Sequence, residues 1–290
     1  MFVLEVNGLR KSYKKGFIPK KQEVLKGVSF KVSSGEITGF LGANGAGKTT
    51  TIKCVLALAF PDAGEITFFE QGPLSLDAKM KIGFLPERPY FYEYLTGKEF
   101  LKFYGQLSGR FSSVVLRSRI ESLLKRVDLW AARDKKLKDY SKGMLQKIGL
   151  AQALIHEPEF VILDEPLAGL DPDGRMTLSE LIRDIAKEGM GVFFSSHLLN
   201  DVEKLCQKVI IIKNGLVEYE GGVQDLLKKT GGRFRIVYIE GGVQKVHIID
   251  GNEGELQSYI DQLRRRQCHI IEIKSDNTLE DAFKKIGLGS

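Results

Sequence analysis

Gly42-Ala43-Asn44-Gly45-Ala46-Gly47-Lys48-Thr49 is the stretch from which the rest of this chain can be read. Two glycines five positions apart, followed at once by lysine and threonine, make the phosphate-binding loop pattern. Glycine lets the backbone turn its N–H groups toward phosphate oxygens, and the start of a helix adds positive potential behind them. A triphosphate suits such a cradle. Lys48 would reach its β- and γ-phosphates, the Thr49 hydroxyl would ligate Mg²⁺, and Thr50 would continue the helix start. Ordinary residue frequencies put a chance match in this length on the order of one in a hundred.

The flanks agree with the loop. Glu36 to Leu41 reads as a strand running into it, and Thr49 to Ala59 lacks helix breakers until Pro61, giving strand, loop, helix. Further on, Phe160-Val161-Ile162-Leu163 is an apolar run ending in Asp164 and Glu165, as when a buried parallel strand delivers acids to the carboxyl edge of a sheet. Alone, that pattern is more often a strand followed by an acidic turn. Beside a phosphate loop it assigns Asp164 to the Mg²⁺ shell and Glu165 to polarising the attacking water as general base. A strand at Gly191–Ser195, with helices Thr177–Lys187 and Asn200–Leu205 around it, continues the alternation of a parallel sheet, so the fold class is α/β.

Other segments hang on this core. Phe2–Asn7 and Val24–Val32 alternate apolar and polar residues and predict two antiparallel strands joined by an exposed basic loop, Lys14–Lys21. Between Arg88 and Tyr140 the period becomes helical, opening on a capping box at Thr96 and Glu99. Val209–Ile212 and Leu216–Tyr219, turned by Asn214-Gly215, predict a hairpin. After the glycine pairs 221–222 and 231–232, strands Arg233–Ile239, Val243–Ile249 and His269–Ile273, a helix through Leu256, Ile260 and Leu263, and a last helix opening at Thr278 predict a small α+β domain.

Composition narrows the class. With 43% hydrophobic and 28% charged residues in 290, the chain sits in the range of folded proteins. The longest apolar run, Cys54–Phe60, is far short of the roughly 20 residues that span a bilayer. Met1 to Val6 reads as a first strand rather than a leader, so an intracellular protein is expected. Cys54, Cys206 and Cys268 lack both disulfide and zinc spacing and read as reduced thiols. A net charge of +6 suits nucleic acid, anionic lipid or nucleotide phosphates equally, and by itself decides nothing.

Tyr140-Ser141-Lys142-Gly143-Met144, about twenty residues before the acid pair, resembles the signature sequence of ATP-binding-cassette (ABC) proteins. The resemblance extends to Ala168-Gly169-Leu170-Asp171 as the D-loop, His197 as the switch histidine and Tyr13 as the adenine-stacking aromatic, and covers residues 1 to about 225. It implies a P-loop NTPase (RecA-like) core with an antiparallel β subdomain and an inserted α-helical subdomain at about 88–156. The cassette would occupy 1–230 and the accessory α+β domain 231–290. It also implies an ATPase using ATP and Mg²⁺, with two cassettes paired head to tail. Each ATP would then lie between one copy's Gly42–Thr50 loop and the other's Ser141 and Gly143, with Asp171 at the subunit contact. Ser141 would cap a helix running to His156 whose N-terminus faces the γ-phosphate. His197 would touch that phosphate and align Glu165 and the water. His156, His247 and His269 read as packing or surface residues.

Two departures matter. Where most such cassettes carry a glutamine, Ile82-Gly83-Phe84-Leu85-Pro86-Glu87 supplies a glutamate, which ligates Mg²⁺ through oxygen but cannot donate an amide hydrogen bond. The signature has Lys142 for a glycine and Met144 for a glutamine. With Leu279-Glu280-Asp281-Ala282-Phe283 near the end, these resemble the ABC-2 or drug-resistance exporter branch. That branch implies separate integral membrane permease subunits, a second ATPase copy as a homodimer, and attachment to the inner face of the cell membrane. Pro89 to Tyr94 suit either partner docking or packing of the helical subdomain. The competing reading is a soluble ABC-type ATPase acting on nucleic acid or ribosomes. One phosphate loop and no sustained heptads count against it, so nucleic acid is not an expected partner. A regulatory module with little turnover is a third reading, motivated by Glu87 and the altered signature. The cargo is not written in these residues.

Overall fold

Ile-Thr-Gly-Phe-Leu at 37–41 is buried at every position, the pattern of a strand covered on both faces, and it leads directly into the glycine loop. The computed structural model describes residues 1–15, 20–229, 232–251, 253–275 and 278–285. These form two compact units, 1–220 and 221–290.

In the first unit the elements run β1 (Phe2–Lys15), β2 (Lys20–Ser33), β3 (Ile37–Leu41), α1 (Lys48–Val55), β4 (Ala63–Phe68), α2 (Leu76–Met80), β5 (Ile82–Leu85), α3 (Gly97–Leu107), α4 (Ser113–Arg126), α5 (Lys142–Leu154), β6 (Phe160–Asp164), α6 (Pro172–Lys187), β7 (Gly191–Ser196), α7 (Leu199–Leu205), β8 (Lys208–Lys213) and β9 (Leu216–Gly222). A six-stranded sheet has the order β5-β6-β7-β3-β8-β9, with the β5/β6, β6/β7, β7/β3 and β3/β8 pairs parallel. A three-stranded antiparallel sheet, β2-β1-β4, packs on it. Phe30 of β2 meets Phe40 of β3 at 5.5 Å and Phe193 of β7 at 5.4 Å between ring centroids. All three rings are buried, so this cluster holds the two sheets together.

Several expectations change at their edges. The basic stretch 14–21 was expected as a loop, but Lys14 pairs with Lys21 and Lys15 with Lys20, because β1 and β2 continue as a long ribbon. Residues 16–19 of that loop lie outside the described residues. The first helix stops at Val55 rather than Ala59, since Ala57 turns to φ 54°. Asp171 accepts from the Gly174 N–H and Pro172 takes the first helical position, so α6 begins five residues before Thr177. β4 and α2 carry too few residues for a periodic signal and were not anticipated. The capping box at Thr96 and Glu99 is present, and Asn214 and Gly215 both take positive φ in the β8–β9 turn.

His156 follows α5 and its Nε2 hydrogen-bonds the Ile82 carbonyl at 3.0 Å. Burial holds this imidazole below its ordinary pKa of 6.5. The unfolded chain therefore takes up the proton first, and the stability His156 contributes is complete above pH 6.5 and lost as pH falls toward the depressed native value. Urea unfolding of the parent and His156→Gln over a pH series will show a shallower acid slope in the variant; equal slopes refute the assignment.

The second unit contains α8 (Val223–Lys229), β10 (Gly232–Glu240), β11 (Val243–Gly251), α9 (Glu253–Arg265), β12 (His269–Ser275) and α10 (Leu279–Lys285). Its antiparallel sheet has the order β11-β10-β12. Leu263 of α9 packs on Ile236 and Tyr238. Contacts between α8 and α10 place α8 in this unit, so the division falls at 220 rather than at the 231–232 glycine pair.

Candidate functional site

Adjacent strands β6, β7 and β3 end at one edge of the parallel sheet, and each contributes chemistry there. After β3 comes the loop. Gly47 caps α1 with φ 117° and no side-chain cap, leaving the first N–H groups of the helix without a side-chain acceptor. A Cβ on Gly42 would lie 2.5 Å from the Ile212 carbonyl oxygen, and one on Gly47 2.8 Å from Leu25, so only glycine fits either place.

Lys48 is buried, and its ammonium donates to the Gly42 carbonyl at 2.6 Å and stands 3.3 Å from the Glu165 carboxylate. Glu165 takes φ 49° at the end of β6, a rare conformation that turns its side chain along the edge. The other Glu165 oxygen lies 2.8 Å from Nδ1 of His197, which follows β7. Lysine, glutamate and histidine thus form one continuous cluster.

Asp164 and Glu165 share a partner that sequence reading missed. The Ser195 hydroxyl donates to Asp164 Oδ1 at 2.5 Å and accepts from the Glu165 N–H at 2.9 Å. Burial raises the Asp164 pKa most, with the neighbouring carboxylates of Glu165 and Glu87 adding to it, against the Ser195 hydrogen bond. Such a carboxylate gains from a nearby cation. Ser195→Ala strands an acceptor and a donor in the core, so it should lower unfolding free energy by about 1–3 kcal/mol in a denaturant titration. No loss would mean the bridge is replaced by other contacts.

A cleft of about 440 Å³ opens over this cluster, lined by Ala43, Asn44, Gly45, Gly47, Lys48, Thr49, Thr50, Glu87, Glu165 and His197. Ala168, from the expected D-loop, completes its wall together with Gln22 and Val24, which were not anticipated there. Gly42 and Ala46, expected at the nucleotide, are not part of this lining. Tyr13 pairs across the ribbon with Gln22 but is not part of the wall, and it is 41% exposed. Ser141 caps α5, accepting from the Met144 N–H at 3.3 Å. Neither Ser141, Gly143 nor Asp171 borders this cleft. A second groove of about 330 Å³ joins Glu87 and Ala168 to Lys142, Leu145 and Gln146 on α5. Arg175, on α6, donates to the Leu170 carbonyl at 3.2 Å and stands 3.7 Å from Asp201 of α7, so it links the segment after Glu165 with the helix after His197.

A family model described as ABC transporter matches residues 25–168. The chain is 42% identical over 224 residues to the uncharacterised ABC transporter ATP-binding protein YxlF of Bacillus subtilis, covering 77% of this chain and 72% of that one. It is 33% identical to the linearmycin resistance ATP-binding protein LnrL of Bacillus subtilis, covering 85% and 78%. Among solved structures, a dimeric post-hydrolysis state of the ATP-binding cassette MJ0796 bound to ADP and Pi superposes with a TM-score of 0.68 at 25% identity, over 76% of this chain and 98% of that one. A loop with no place for a side chain, a lysine held over it, and an acid and a histidine in contact at its rim belong together in that setting: the chain is a member of the ABC transporter ATP-binding family, a nucleotide-binding subunit that hydrolyses ATP.

Proposed function

We propose that this subunit drives an exporter whose membrane-spanning part is a separate polypeptide. Two copies close around two ATP molecules and reopen after hydrolysis. The observation that carries the reading is the contact chain Lys48–Glu165–His197 at the rim of the loop cleft. In this mechanism the triphosphate draws Lys48 away from the Gly42 carbonyl and Glu165 to its β- and γ-oxygens. Glu165 then accepts a proton from the water attacking the γ-phosphorus, while His197 holds that carboxylate and the γ-phosphate in line. The capped tip of α5 of the other copy, Ser141 to Gly143, supplies N–H groups and helix potential to the same phosphate. Tyr13 stacks on adenine from the ribbon.

Thr49, Asp164 and Glu87 are the residues that would hold Mg²⁺. Among the described residues no cluster of three His, Cys, Asp or Glu side chains makes a complete metal cage. A hydroxyl and one or two carboxylates, completed by phosphate oxygens and water, is the donor set Mg²⁺ prefers. Bound there, the ion would neutralise charge on the β- and γ-phosphates.

Export is favoured by the Glu87 and Lys142 departures and by the likeness to LnrL, a resistance protein by name. Among the described residues no helix is long and apolar enough to cross a membrane, so the path for cargo is assigned to a permease, which would hold this subunit at the inner face of the membrane. The groove beside α5 suits docking. Gln146, whose buried Oε1 has no hydrogen-bond partner among the described residues, lines it; Pro89 and Phe91 line it too, and Tyr90 and Tyr94, close to them in the chain, are exposed. Purification of the subunit from native membranes in mild detergent should bring one integral membrane protein with it, and Gln146→Leu should reduce that yield. Recovery of the subunit alone, or with nucleic acid that dissociates steeply with salt, would overturn the export reading.

A further inference from the structure

The two edges of the β11-β10-β12 sheet are guarded differently. An unpaired strand edge is a template for another strand unless bulges, charges or brevity blunt it. β12 has seven residues, a register shift opposite Val237 and Tyr238, and a Glu272–Lys274 ion pair. β11 has nine residues paired to β10 without any shift, so no bulge blunts it. Its charged side chains, Lys245 and Asp250, are paired to Glu240 and Arg233 of β10.

Three of the exposed positions of β11 are apolar. Val243 is 60% exposed, Val246 49% and Ile248 45%. Pairing of Val246 with Val237 and of Ile248 with Arg235 puts Val246 and Ile248 on the sheet face opposite α9. His247 lies on the α9 side, stacked on Tyr259 at 4.3 Å.

The strand Val243-Gln244-Lys245-Val246-His247-Ile248-Ile249-Asp250-Gly251 is complementary to itself. Run antiparallel about a twofold at His247, Val246 of one copy faces Ile248 of the other, twice. Lys245 faces Ile249 and Gln244 faces Asp250, so neither charge meets its own twin. Directly opposed β-branched pairs are among the stabilising cross-strand contacts, and opposed like charges are among the destabilising ones.

We propose that two copies of this chain pair through β11, antiparallel about His247, joining their three-stranded sheets into one of six strands. The partner is a second copy because the strand matches itself and because the cassettes of solved relatives form dimers. This contact needs no nucleotide. It keeps two cassettes at high local concentration between rounds of ATP-driven closure.

Charge exchange tests it in the full-length chain without nucleotide, by light scattering. The parent is expected to dimerise, and Val246→Lys/Ile248→Lys and Val246→Glu/Ile248→Glu each to weaken dimerisation roughly tenfold or more by opposing like charges. Mixed in equal amounts, the two variants should recover a dimer, because each lysine then faces a glutamate. A monomeric parent, variants as dimeric as the parent, or a mixture that stays monomeric would each overturn the pairing. ATP-dependent dimerisation is measured separately in Glu165→Gln combined with Val246→Lys/Ile248→Lys, where β11 no longer pairs, and its failure bears on cassette closure rather than on β11.

Discussion

Glu165→Gln should lower steady-state ATP hydrolysis by about 10²–10⁴-fold while ATP binding persists, because glutamine keeps the shape but cannot accept the water's proton. The side chain is buried and fixed by Lys48 at 3.3 Å and His197 at 2.8 Å, so the glutamine amide should stay in the same place at the cleft rim. With ATP bound and the chemical step blocked, the closed pair of cassettes should accumulate as an ATP-dependent dimer by size-exclusion chromatography when Glu165→Gln is combined with Val246→Lys/Ile248→Lys, which removes the nucleotide-free dimer. Parental turnover by the variant would remove Glu165 from the role of base. Lost turnover without any ATP-dependent dimer would instead place the fault in cassette closure.

Lys48→Ala should weaken ATP binding by about 10- to 100-fold, the loss expected for one or two charge-assisted hydrogen bonds to phosphate. A second consequence follows from burial. Lys48 lies against the Glu165 carboxylate, and Asp164 is already pushed up by burial and by its acidic neighbours. Deleting the cation leaves these acids facing each other in a water-poor site, so the nucleotide-free protein should also unfold at lower denaturant concentration. Titration with a fluorescent ATP analogue and a urea curve check both effects. Unchanged affinity would refute the proposed exchange of Lys48 from Glu165 to the phosphates.

The phosphate loop, the acid-ended strand and the family were legible because each signal is local. Glycines within eight residues set backbone conformation by themselves, and an apolar run ending in Asp164 and Glu165 names a buried strand wherever its neighbours lie. Ser195 was not legible. It matters because the β6/β7 register sets it directly opposite Asp164, and a serine at a strand end has no local mark. Gln22 lines the cleft because the β1–β2 ribbon runs beyond the Val24–Val32 strand that alternation suggested, and Val24, which opens that strand, lines it beside Gln22. β4 escaped notice for a related reason: its pattern gains meaning only when it pairs with β1.

The sequence by itself determined the nucleotide chemistry, the α/β class and the hairpin at Asn214-Gly215, since all rest on residues adjacent in the chain. Only the tertiary structure decided that Lys48, Glu165 and His197, drawn from three strand ends, touch one another. It alone decided that Ser195 bridges the acid pair and that β11 is an edge strand paired to β10 without a shift. The physical reason is that propensity and spacing act over a few residues, whereas strand order and register place side chains from distant segments within hydrogen-bond reach.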